Sequence, residues 1–400
     1  MSKQQPTATV PQKLLLKVIG LCVGLGFFVW FPNSLETLWQ RRLYIYLAGG
    51  LSLFYIWAHR AHIRFPKRVQ WLLLGLLIVS SLSLLTGSNI VQGLIGQPIG
   101  HPSLLSLYVS MALGLLFALL PAKERLFRYI YGFLLLFGLA NLAYWLVHGV
   151  SMRLGLIGEQ VNYTAGLLLV GLVIGNWLYL NKKLPSSLAW FSQSYLLILL
   201  LLTQSRAAIG LALACLVYLT FRANKHKQRF LLSISAVGLV ALATLIAASL
   251  FSRINNGHYF ARSVQYRADL VLAALPRSPS TYLLGGGIGS LEHNIGTYGH
   301  EYAPINNDLS HGWRFESSHN YLIDILVERG VLVLIAFGWL MFEALRLGFG
   351  SRDSERKLLA FILLITSLFT LVNNINVGLE VIIWTCMICL LILPVGEISQ

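Results

Sequence analysis

Charge is scarce in this chain. Of its 400 residues only 11% are Asp, Glu, Lys or Arg, while 56% are hydrophobic, and the mean hydropathy is +0.69. A soluble domain carries about 25% charged residues, so a water-driven globule is excluded and helices packed in lipid are expected. Cysteine is scarce as well. Cys22, Cys215, Cys386 and Cys389 all sit in apolar stretches, which leaves no external pair for a disulfide. The CxxC of Cys386 and Cys389 lacks the further ligands and polar flanks of a zinc or redox site, so these residues read as small buried hydrophobes. No internal repeat and no low-complexity block is present. The first apolar run, Leu14 to Phe31, ends in Pro32-Asn33-Ser34 without a small-residue cleavage site, and is read as a retained span, not a signal peptide.

A membrane span needs about 20 mostly apolar residues. Twelve stretches qualify: 14–31, 43–58, 69–86, 104–120, 129–148, 162–180, 188–203, 206–221, 231–251, 331–347, 358–372 and 378–394. Laid out alternately, their connections separate by charge. Residues 59–68, 121–128, 181–187, 222–230 and 348–357 are basic; 87–103, 149–161, 204–205 and 373–377 are nearly uncharged. All ten lysines, from Lys3 to Lys357, fall on the first side, and the other side uses arginine alone. The positive-inside effect then places the lysines, and both termini, in the cytoplasm. Arg41-Arg42, on the outer side, is the one blemish. The same effect accounts for much of the net charge of +15, which is therefore no nucleic-acid signature. The expected fold is an all-α polytopic membrane protein of about twelve transmembrane helices: 1–251 with nine spans, 252–330 as one long external loop with short helices, and 331–400 with three spans.

Loops longer than about 15 residues are usually functional. Residues 252–330 hold six arginines, five histidines and seven acids. Ser263 to Leu275 reads as an amphipathic helix with Val264, Leu270, Val271 and Leu275 on one face and Arg267 on another, ended by Pro276 and Pro279. Gly285-Gly286-Gly287-Ile288-Gly289 is a mobile or tightly turned stretch. Ser318 is expected as the N-cap of a helix that starts near His319 and runs into the next span.

Three elements carry candidate chemistry. Thr203-Gln204-Ser205-Arg206 joins two spans through almost no loop and puts Arg206 at a helix N-terminus, where the dipole disfavours a cation. Arg206 is either an arginine snorkelling to lipid head groups or one side of an anion clamp with the helix N–H groups. Arg267, in Tyr266-Arg267-Ala268-Asp269, either pairs locally with Asp269 or is a second hand on the same anion. His319, in Ser317-Ser318-His319-Asn320, is either a capping histidine or a general base, kept neutral because the dipole pushes its pKa down. Arg262 and Arg314 are reserve contacts for phosphate or glycan, and Glu316 is an alternative base ranked below His319. No HExxH or close ligand spacing supports a metal site, and GGGIGS lacks the βαβ context of a dinucleotide fingerprint.

Together and in this order, TQSRAAIG (203–210), YRADLVLAALPRSPSTYLLGGGIG (266–289) and SSHNYLIDILVERG (317–330) resemble the bacterial O-antigen ligase family, within the wider group that includes O-antigen polymerases and protein O-oligosaccharyltransferases. The resemblance covers the second half of the chain in detail; the first six spans match only in being hydrophobic. Ala207-Ala208 replaces the usual Gly-Ala/Val after Ser-Arg. The resemblance implies a fold like that of the C-type glycosyltransferases. It implies that Arg206 and Arg267 serve the lipid diphosphate of the donor and that His319, in a pattern completed by Asn320, Leu322, Leu326, Glu328 and Gly330, is essential. It further implies an undecaprenyl-diphosphate-linked O-antigen donor, a lipid A–core acceptor, a periplasmic active site in a bacterial inner membrane, and no cofactor or metal. Nucleic acid is not an expected partner; membrane lipids are. A polymerase of the same architecture is the nearest alternative. A protein O-oligosaccharyltransferase is disfavoured because those members usually carry a further C-terminal domain. A non-enzymatic lipid or glycan transporter is disfavoured because ion coupling generally needs ionisable groups at mid-depth, and Glu343 and Glu380 fall near helix ends.

Overall fold

The computed structural model describes residues 10–28, 35–60, 63–87, 90–96, 103–120, 123–148, 154, 161–222, 259–310, 317–373 and 377–392. The described residues are helical and contain no strand. In chain order the helices are α1 (Val10–Phe28), α2 (Leu35–Ala58), α3 (Lys67–Thr86), α4 (Ile90–Ile95), α5 (Leu104–Leu119), α6 (Lys123–His148), α7 (Val161–Leu180), α8 (Ser186–Leu202) and α9 (Arg206–Arg222). There follow α10 (Tyr259–Ala274), α11 (Pro279–Leu284), α12 (Ser290–Tyr298), a 3-10 turn (Gly299–Glu301), α13 (Ala303–Ser310), α14 (Tyr321–Gly350), α15 (Ser354–Thr370) and α16 (Val377–Leu391). The expected span over 231–251 lies outside the described residues.

Four helices, α3, α6, α7 and α14, are long and apolar enough to cross a membrane; α5, α8, α9 and α16 are shorter apolar helices. The protein is therefore a membrane protein, all-helical among the described residues. α7 is apolar on all sides, and 89% of its most apolar stretch is buried, against 28% for α3 and α6. A helix hydrophobic all round belongs inside the bundle, whereas a one-sided stripe belongs at its rim. α5 lies along α16 and α2, α14 against α3, and α7 against α8. Small residues permit the closest of these approaches, as in other membrane bundles. A Cβ on Gly114 would meet Ile388 Cβ at 2.9 Å, and Cys389 Sγ donates to the Gly114 carbonyl at 3.3 Å. Cys386 and Cys389 are buried and free, as small hydrophobes.

Arg42 is not a topological charge. It is buried, and its Nη1 donates to the Ile95 carbonyl at 2.9 Å. The Arg42 part of the blemish in the lysine and arginine pattern thus belongs to the interior, where the charge bias does not apply.

The segment after residue 258 folds into a small helical cap. Leu270, Ala273 and Ala274 of α10 are buried against Leu291, Ile295, Ile305 and Val327. The apolar face of α10 is therefore offset from the expected one: Val271 and Leu275 are only half-buried, because the partner helices α12 and α13 approach from the side that Ala273 and Ala274 leave open. α10 ends at Ala274, and Pro279 begins α11, with the Ser278 hydroxyl as its cap.

The glycine run is tightly turned. Gly286 N–H donates to Val327 O at 2.8 Å, Gly287 N–H to Glu328 O at 3.2 Å, and Gly289 N–H to Glu328 Oε1 at 3.0 Å. Ser83 Oγ of α3 donates to Glu328 O at 2.6 Å. These carbonyls are free to accept because α14 breaks at Gly330 (φ 81°, ψ 171°), the junction expected between external segment and span. A Cβ on Gly330 would lie 2.3 Å from Leu283 O, and one on Gly287 2.2 Å from Gly87 Cα. Backbone meets backbone here, and nothing at the contact is a flexible side chain that can yield. Gly330→Ala combines positive φ with that clash and is expected to destabilise the protein by at least about 2 kcal/mol. A melting curve of the detergent-solubilised variant that overlays wild type contradicts this.

Candidate active site

The α8–α9 junction is a three-residue turn, Thr203 to Ser205, built by its own hydroxyls. Thr203 Oγ1 donates to Leu200 O at 2.6 Å and accepts Ser205 N–H at 3.2 Å, and Gln204 takes the left-handed region (φ 54°) between them. Ser205 Oγ donates to Asn162 Oδ1 of α7 at 3.0 Å. The next residue, Arg206, opens α9 and is exposed.

Arg267 lies half-buried on α10. It does not pair with Asp269, whose carboxylate is buried and accepts from Gln265 Nε2 at 2.7 Å. Among the described residues no carboxylate pairs with Arg267. Burial holds its guanidinium below the usual pKa, and the charge of Arg206 pushes it the same way. Its neighbour Tyr266 donates to Asp308 Oδ2 at 2.6 Å, which ties α10 to α13.

His319 has φ 60°, an uncommon conformation for a residue with a Cβ. It is not the cap. Asn320 caps α14, its side-chain oxygen accepting from Leu322 N at 3.0 Å and Ile323 N at 3.3 Å. Ser318, expected in that role, turns its hydroxyl elsewhere, and the helix starts at Tyr321, because the amide of Asn320 sits where N2 and N3 need an acceptor. The imidazole is pushed down to about 4, first by burial and then by the charge of Arg267. The direction is the expected one, with burial and the Arg267 charge as its causes. Its Nδ1 is buried without a hydrogen-bond partner among the described residues, so that nitrogen is not spent on a structural contact.

Residues 206, 267 and 319, far apart in the chain, therefore act on one another electrostatically: Arg206 on Arg267, and Arg267 on His319. Two neighbouring cations and a neutral imidazole form a surface suited to a polyanion bearing a reactive group. Arg314 and Glu316 lie outside the described residues, as does the side chain of Arg262. Arg277 pairs with Glu301 at 3.1 Å and covers the Tyr298 ring at 4.6 Å. No group of three metal-ligating side chains occurs among the described residues, and His300 Nδ1 is bonded to Asn306 Oδ1 at 2.6 Å. An apolar cavity of about 570 Å³, lined by residues such as Leu16, Leu116, Phe133 and Ile382, contains neither arginine nor His319 in its wall.

One buried group was missed in the sequence. Glu380 of α16 is fully buried, lies 3.8 Å from the buried Arg329 of α14, and accepts from Ser106 Oγ of α5 at 2.6 Å. Ser106 and Ser103 form a reciprocal capping box at the start of α5. An acid in the first turn of an otherwise apolar helix is the only sequence signal for this. Its partners lie 51 and 274 positions away, beyond any local pattern.

The comparisons with known proteins agree with the motif reading. No curated protein matches the chain. A sequence model of the family described as O-antigen ligase matches residues 191–338, a stretch that runs from α8 into α14 and contains Arg206, Arg267 and His319. Over that stretch, somewhat more than a third of the chain, the protein is similar to the O-antigen ligase family.

Proposed function

We propose that the protein is an O-antigen ligase that moves an undecaprenyl-diphosphate-linked glycan en bloc onto a sugar hydroxyl of lipid A–core. The site faces the periplasm, on the lysine-free side of a multi-pass inner-membrane protein of about twelve spans. The observation that carries this reading is the state of Arg267: half-buried, beside a second guanidinium, and with no carboxylate partner among the described residues. Such an arrangement is costly in the empty protein and becomes favourable when a multiply charged anion enters. A diphosphate fits, since guanidinium groups bind phosphate oxygens through paired N–H donors.

In the reaction the acceptor hydroxyl oxygen attacks the anomeric carbon of the donor. The bond from that carbon to the diphosphate oxygen breaks, and its electron pair leaves with the lipid diphosphate. The hydroxyl proton passes to the neutral imidazole of His319. A single displacement inverts the anomeric configuration. The leaving group is already an anion of low basicity, so it needs charge stabilisation and not protonation, and Arg206 and Arg267 supply this. With that charge in place no divalent cation is needed, and transfer is expected to survive EDTA; loss of activity that a divalent ion restores argues for a metal. The test of the function is the lipopolysaccharide gel of a deletion strain. Loss of all capped material, with lipid-linked polymer accumulating, is the expected result. A single repeat unit left on the core makes the protein a polymerase instead.

A further inference from the structure

Asp324 lies in the first turn of α14 and is buried at 3% exposure. Its carboxylate accepts three hydrogen bonds from the turn before the helix. Ser317 Oγ donates to Oδ2 at 2.8 Å, Ser318 Oγ to Oδ1 at 2.6 Å, and Ser318 N–H to Oδ1 at 2.9 Å. A hydroxyl has one proton, so each serine that gives it to Asp324 keeps its lone pairs for the backbone. Ser317 Oγ then accepts His319 N–H at 3.1 Å, and Ser318 Oγ accepts Asn320 N–H at 3.3 Å. The carboxylate thereby fixes the N–H groups on both sides of the His319 side chain. This explains why a residue with a Cβ is held at φ 60°: the conformation is over-determined from outside.

We infer that Asp324 is the positioning residue of His319, acting through Ser317 and Ser318 to aim the imidazole at the acceptor. The inference rests on the reading of His319 as general base. Only a group that accepts everywhere serves here. In Asp324→Asn one acceptor oxygen becomes a donor, so at least one of the three bonds is lost while size is kept.

The experiment uses the full-length protein in detergent with a lipid-diphosphate-linked glycan donor and a lipid A–core acceptor. Asp324→Asn is expected to lower kcat by about 10–100-fold, the usual effect of a misaimed reacting group, with the KM for donor unchanged because both arginines remain. The acid limb of kcat is expected to rise in pH, because the ring leaves its buried position facing Arg267 of α10; a merely structural role leaves that limb where it was. Folded Asp324→Asn with wild-type kcat overturns the inference. If that variant does not accumulate, Ser317→Ala, which removes one arm only, decides the question: a drop of about 3–10-fold supports the inference, and wild-type kcat overturns it. His319→Ala is run beside them. Transfer by His319→Ala defeats the general-base reading itself, whereas an inactive His319→Ala with a fully active Asp324→Asn defeats only the role of Asp324.

Discussion

His319→Ala is expected to lower glycan transfer by about 10²–10⁴-fold, the range for loss of a positioned general base, with the protein at its wild-type level in the membrane. The second half of that statement follows from the structure. His319 is not the helix cap, which is Asn320, and its Nδ1 makes no bond among the described residues, so removing the ring breaks neither the cap nor a hydrogen bond at that nitrogen. Wild-type capping of lipopolysaccharide in the His319→Ala strain ends the general-base idea. The pH profile makes the claim sharper. An ordinary histidine loses its basic form as pH falls through about 6.5; this one, at about 4, stays neutral until far lower. The acid limb of kcat is therefore expected near pH 4, with a plateau across pH 5.5–7.5 set by this group. The sign for stability is the same. In the unfolded chain the ring takes a proton below about 6.5, in the folded one only below about 4, so stability is full above 6.5 and falls as pH drops through that window. An acid limb near 6.5 contradicts the burial of the ring.

Arg267→Ala is expected to cost about 10²–10³-fold in kcat, as for removal of one donor aimed at developing charge, and Arg206→Ala a similar amount. If the two guanidiniums hold one diphosphate, their effects are coupled, and the double variant falls short of the product of the single losses. Losses that multiply cleanly place them on separate anions. The stability of the ligand-free protein moves the opposite way. Arg267 has no described carboxylate to lose and a like charge beside it, so Arg267→Ala is expected to melt at the same temperature as wild type or higher, which is the usual sign of a residue kept for function. A marked fall in melting temperature instead assigns Arg267 a structural ion pair. Removing Arg267 also removes a cause of the depression at His319, and the acid limb of the residual activity is expected to climb.

Much of the local architecture is legible in the chain itself. The expected spans at 69–86, 104–120, 162–180 and 206–221 meet helices Lys67–Thr86, Leu104–Leu119, Val161–Leu180 and Arg206–Arg222, because an apolar run in a low-charge chain has few alternatives to a helix whose backbone satisfies itself. The short turn before Arg206 is legible for the same reason, as polar punctuation between such runs; the break at Gly330 is not, since a helix running on from His319 into the span was expected. The short helix Ile90–Ile95 was not, since six residues between spans carry no period. The amphipathic helix ahead of Pro276 was recognised, but its buried face was displaced, because side-chain spacing says which residues share a face and not which face a neighbour covers.

What the sequence by itself determined is thus a set of helices, their charge bias, and three motifs whose residue types suit a phosphorylated substrate. The tertiary structure alone decided that Arg206, Arg267 and His319 act on one another, that Asn320 and not Ser318 caps α14, that the glycine run locks onto the carbonyls of Val327 and Glu328, and that Arg42 and Glu380 are interior charges. The physical reason is range. Helices and turns are settled by hydrogen bonds and side-chain spacing within a few residues, whereas burial, pKa and clustering of charge depend on neighbours such as those 53 to 274 positions away, and no local pattern encodes which distant surface will arrive.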